Sequence, residues 1–94
     1  MDSFTIIASG LFIEQFRILL ARARSEGQLS KANTVAKELM ALLQNDPNSA
    51  GEITYTLKNI GLPVRHVVRL PWSLHFAIDE TRRLVYLSKI ELLD

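Results

Sequence analysis

The chain of 94 residues contains no cysteine. That excludes disulfide staples, thiolate zinc sites and cysteine nucleophiles together. Its two histidines are too few for a metal cluster, and no Gly-rich phosphate loop or metal signature occurs. No metal or cofactor is expected. Neither sign of charge is in excess: 11 Lys and Arg against 10 Asp and Glu give +1, too balanced to mark a nucleic-acid or membrane protein by net charge. Long hydrophobic runs are missing as well. Phe4 to Leu20 is largely apolar, but Glu14, Gln15 and Arg17 break it, leaving it too short and too polar to span a bilayer. The Met1-Asp2-Ser3 start lacks the basic residues of a secretory signal. A cytoplasmic protein without membrane contact is expected.

What is present is an ordinary globular composition, 48% hydrophobic and 22% charged, in a length that suits one domain, residues 1–94. No internal repeat or linker appears. Phe4 to Ala8 is β-prone and ends at Ser9-Gly10. Phe12, Phe16, Leu19, Leu20 and Ala23 then recur at three- and four-residue steps, the period of one helical face. Gly27 ends that helix. A second helix is expected from near Ser30, with Ser30 or Asn33 as N-cap, to about Asn45, where Asp46-Pro47 stops it. The pair should form an antiparallel hairpin.

Beyond Gly51 the period becomes two. Ile53, Tyr55 and Leu57 alternate with polar residues, and so do Trp72, Leu74, Phe76 and Ile78. Tyr55 is therefore expected in the core with Ile53 and Leu57. Val64 to Leu70 forms a strand before Pro71. Asp79 to Arg82 is a hairpin loop, and Leu84 to Ile90 is a last strand, apolar at both parities as a central strand is. The fold class is α+β, written β-α-α-β-β-β, with the helix hairpin on one face of a small, mainly antiparallel sheet.

No acidic residue lies between Glu52 and Asp79, whereas Lys58, Arg65, His66, Arg69 and His75 all do. Arg65 and Arg69 share a parity and emerge together. If the helices leave that face open, it makes a basic patch able to meet phosphates. The plainer reading is a solvated face. His75 shares its parity with Ser73, opposite Trp72, Leu74 and Phe76; a histidine there suits acid–base chemistry near neutral pH, or is simply a half-exposed strand residue. Leu11, Ile13 and Ile18 lie off the inner helix face, and Leu92-Leu93 follow the last strand. These five form a candidate partner surface, unless Ile13 and Ile18 flank a broad stripe and Leu92-Leu93 complete the core or a homodimer contact.

Taken in order, Gly51-Glu52 after Asp46-Pro47, Arg65 on the next strand, Pro71, the run into Phe76-Ala77-Ile78-Asp79, and Leu84-Val85-Tyr86-Leu87 resemble the RelE/ParE toxin superfamily of plasmid stabilisation systems. The resemblance covers most of the chain, since that family also places a first strand before a helix hairpin. It implies the toxin of a type II toxin–antitoxin pair, with a cognate antitoxin as partner. The RelE branch cleaves ribosome-bound mRNA as an endoribonuclease; the ParE branch inhibits DNA gyrase. Target contacts would then fall to Lys58, Arg65, Arg69 and Lys89, and catalysis to Arg65, Arg69 or His75. The chain departs from the nuclease pattern at Trp72-Ser73, where an arginine is usual, and after Lys89, where Glu91 and Asp94 replace further cations. A non-toxic RelE-fold binding module and an unrelated α+β interaction domain remain the alternatives.

Overall fold

The hydroxyl of Ser9 turns the chain from strand to helix. It accepts a hydrogen bond from the Phe12 amide at 3.1 Å, the N-cap role that satisfies an otherwise free helix donor. The computed structural model describes residues 3–57 and 61–93. Strand β1 (Thr5–Ala8) precedes this cap and helix α1 (Gly10–Ser25) follows it. Arg22 and Arg24 occupy the last turn of α1, where cations complement the helix dipole.

Gly27, at φ 73°, then lets the Gln28 amide reach back to the Ala23 carbonyl at 2.8 Å. Helix α2 (Leu29–Asn45) starts at once, ahead of the expected caps Ser30 and Asn33. Gln28 holds the cap position without a side-chain hydrogen bond. The turn is closed from the α1 side, so α2 begins without a capping side chain.

A 3₁₀ turn over Pro47–Ser49 leads to β2 (Glu52–Leu57), β3 (Leu62–Arg69), β4 (Trp72–Asp79) and β5 (Leu84–Leu92). The runs on either side of Pro71 are two strands, so four strands follow the hairpin. They complete one five-stranded sheet in the order β1-β5-β4-β3-β2. β1 pairs with β5 in parallel, and every other pairing is antiparallel. The α+β class and the hairpin on a mainly antiparallel sheet are as expected, but β5 lies second from the edge and β4 takes the central place.

Trp72, Leu74, Phe76 and Ile78 of β4 are buried with Val67, Val85, Ile90 and Leu92 from its neighbours. Phe12, Leu19, Ala32, Leu39 and Leu43 meet them from the helices. Trp72 is fixed at both ends: its Nε1 donates to the Ala32 carbonyl at 2.8 Å, and its ring lies 5.3 Å from that of Phe16. Between hairpin and sheet a partly open pocket of about 240 Å³ remains, lined only by apolar residues. Among the described residues, no helix is long and apolar enough to cross a membrane.

Tyr55 and Ile53 are not core. They are 49% and 57% exposed, because β2 is the sheet edge farthest from β1. A register shift between them also breaks the alternation: Ile53 pairs with Arg65, but Tyr55 pairs with Val64. The two side chains therefore emerge on opposite faces.

Candidate functional site on the uncovered sheet face

Register decides which side chains meet on the face away from the helices. The two-residue turn Leu70-Pro71 pairs Arg69 with Trp72, and three steps further His66 lies opposite His75. Because Leu74 and Val67 face the helices, His66 and His75 face away. Lys89 of β5 pairs with His75, and Glu52 of β2 pairs with His66. Lys89, His75, His66 and Glu52 thus form a row across four strands, neighbours being about 5 Å apart. Ser73 and Glu91, also paired, lie beside it.

The centre of the row is tightly organised. The two imidazoles stack with centroids 4.2 Å apart and planes 7° from parallel. His66 Nε2 and Ser73 Oγ share a hydrogen bond of 2.6 Å, and Ser73 is buried. Nδ1 of His75 is buried without a partner among the described residues. Lys89 lies 3.9 Å from Glu91 and stays largely exposed, so its charge remains available to a ligand. Gly51 presses on the His66 carbonyl from β2's start, where a Cβ would lie 2.1 Å from that oxygen. The backbone under His66 is thereby held in place.

Burial, then the charges of His66 and Lys89, hold the pKa of His75 below the ordinary histidine value, with Glu91 opposing them. His75 is therefore a neutral base at physiological pH. The unfolded chain binds a proton at His75 more readily than the fold does, so stability rises with pH. This contribution is complete above the unfolded value near ~6.5 and is lost as pH falls below it. Urea unfolding between pH 7.5 and 5 should show that loss, and His75→Gln should flatten it. An unchanged pH dependence in the variant would count against a perturbed His75.

The other expected site residues are scattered. Arg65 and Arg69 do share a face, but it is the helix side, with Val67. They flank the part of that face beyond the hairpin, and Arg65 Nη1 donates to the Gly51 carbonyl at 3.3 Å. The basic patch is thus absent from the open face, because β3 is apolar at both parities and its burial pattern alone does not choose a side. Lys58 lies outside the described residues. His66 and its bond to Ser73 emerge only from the register; the turn at Leu70-Pro71 was the signal for them.

Of the candidate partner surface, Leu11, Ile13 and Ile18 are exposed at 82%, 56% and 54%. Leu11 and Ile18 share one flank of α1, whereas Ile13 stands with Met40 at the partly open pocket between hairpin and sheet. Leu92 leaves the surface: it pairs with Trp72 facing the helices, is buried, and its carbonyl accepts from Arg22 Nη2 at 2.7 Å. Leu93 is partly exposed. β1 pairs only with Leu84–Leu87, so Ser88 to Leu92 have no strand on that side among the described residues. A groove there is bounded by Leu11, Gln15, Ser88 and Glu91.

Among the described residues no group of three or more His, Cys, Asp or Glu is placed to hold a metal. No family model, no curated protein and no solved structure matches the chain.

Proposed function

We propose that the chain is a toxin of the RelE/ParE kind that acts on RNA through its uncovered sheet face. The observation that carries this reading is the stack of His66 and His75 beside Lys89 and Ser73, since a phosphodiester reaction needs a base, an acid and a cation. His75, neutral by virtue of its surroundings, takes the proton from the RNA 2′-hydroxyl. The 2′-oxygen then bonds to phosphorus while the bond to the 5′-oxygen breaks. His66, oriented by its hydrogen bond with Ser73, is placed to supply the proton that the leaving oxygen requires. Lys89 offsets the charge that gathers on the phosphate. Arg65 and Arg69 have no place in this step.

The antitoxin in this reading is an extended segment that adds to β5 beside β1, along Ser88 to Glu91, short of the Leu92 carbonyl that Arg22 occupies. Main-chain bonds to the bare edge give affinity, and apolar side chains of the segment cover Leu11 and Ile18. Expression of the chain alone in a bacterium should arrest growth and fragment mRNA. A His66→Ala, His75→Ala double variant of unchanged fold should grow normally. Arrest that survives the double change, with intact mRNA, would replace the nuclease by a gyrase-type target, a reading that the displaced Arg65 and Arg69 also favour.

A further inference from the structure

The space between hairpin and sheet has a lining without a single polar side chain: Phe12, Phe16, Leu39, Met40, Trp72 and Leu74 form most of its wall. The one polar atom of Trp72 is already committed to the Ala32 carbonyl, so the indole presents only apolar surface. An occupant can therefore make no hydrogen bond inside, and a polar group placed there would lose its hydration uncompensated. Size narrows the choice further. An apolar cavity of about 150 Å³ takes benzene; scaled to 240 Å³, the chamber takes roughly eight to ten carbons.

The chamber has a door. Phe16, Ala36 and Met40 also line a second, outer groove whose remaining walls include Asn33, Lys37 and Gln44. The two spaces meet at the small side chain of Ala36 and the flexible one of Met40, a residue that adapts its shape readily. Beyond the door lie two amides and an ammonium group, and Lys37 has no ion pair among the described residues. An apolar interior and a mainly apolar groove with one ammonium group at its rim are complementary to an amphipathic anion.

We propose that the chain binds a medium-chain carboxylate, its alkyl tail between hairpin and sheet and its carboxylate at Lys37, with the Asn33 amide one helical turn away. Met40 and Ile13 close over the tail. The proposal is independent of the uncovered face, which lies across the sheet from this chamber.

Octanoate, 1-octanol and butyrate are the probes. Octanoate at about ten times its dissociation constant should raise the melting temperature of the full chain by roughly 5–10 °C, and methyl NMR signals of Leu39, Met40 and Leu74 should shift. Butyrate, too short to fill the chamber, should do neither. Lys37→Glu should weaken octanoate several-fold and leave octanol unchanged. Ala36→Leu should block both, and should that variant fail to fold, the methyl shifts of the parent chain decide alone. Octanoate that matches butyrate, shifts confined to surface residues, or octanoate affinity indifferent to Lys37→Glu would overturn the proposal.

Discussion

Trp72→Ala is expected to destabilise the fold by about 3–5 kcal/mol, the range for emptying a large aromatic site. Trp72 is fully buried, and its ring both contacts Phe16 and walls the pocket between hairpin and sheet. Truncation therefore enlarges a space that already exists, and few neighbours are positioned to collapse into it. Set against the 5–15 kcal/mol typical of a small domain, such a loss lowers the melting temperature by about 15 °C or more. Trp72→Phe removes the hydrogen bond to the Ala32 carbonyl together with only part of the ring, and about 1–2 kcal/mol should follow from the lost bond. The smaller figure holds because Ala32 sits within α2, where its carbonyl also serves the helix ladder. Urea unfolding followed by circular dichroism measures both. A Trp72→Ala chain within 1 kcal/mol of the parent would mean that the hairpin does not rest on β4.

Gly51→Ala should cost as much, from a single methyl group. Gly51 sits at φ 64°, a conformation that costs an L-residue about 1–2 kcal/mol. The new Cβ would also lie 2.1 Å from the His66 carbonyl oxygen and 2.6 Å from its carbon. Both are main-chain atoms of β3, so relief requires β2 to move from its partner. The strain and the lost pairing together make about 3–5 kcal/mol the expected penalty, in the class of backbone defects that stand out among point mutations. Gly27→Ala is the control: φ is 73° but nothing lies within 4 Å of its added carbon, so about 1 kcal/mol is expected. Equal costs at the two glycines would show that conformation alone matters. A larger loss at Gly51 should come with altered NMR shifts at His66.

Helices and strands were legible because their periods differ, and the face that β4 presents to the helices was legible from its clean alternation of Trp72, Leu74, Phe76 and Ile78. The edge strand was not. Ile53 and Tyr55 alternate as a buried strand does, and only the register shift at Thr54 and the distance of β2 from the hairpin put them in water. The candidate site was half legible. The shared direction of Ser73 and His75 followed from parity, and so did that of Arg65 and Arg69. Parity, however, says that two side chains agree, not which face they agree on; that depends on the strand next door. His66 belonged to the site through its pairing with His75, beyond the reach of local patterns, across a turn whose length set the register.

The place of β5 in the sheet has a consequence for how the protein is made. β5 lies between β1 and β4, yet of the described elements it is the last to be synthesised. Until Leu84–Leu92 emerge, β1 has no neighbour, β4 has one bare edge, and the hairpin covers half a sheet. The row across the open face lacks Lys89 for the same interval. Nascent chains released before Leu84 should therefore be protease-sensitive, and the step that completes the sheet is also the step that completes the row across its open face. Closing a contact between β1 and β5, nearly the whole chain apart, is slow by nature, so completion of the sheet lags behind the appearance of its first strand.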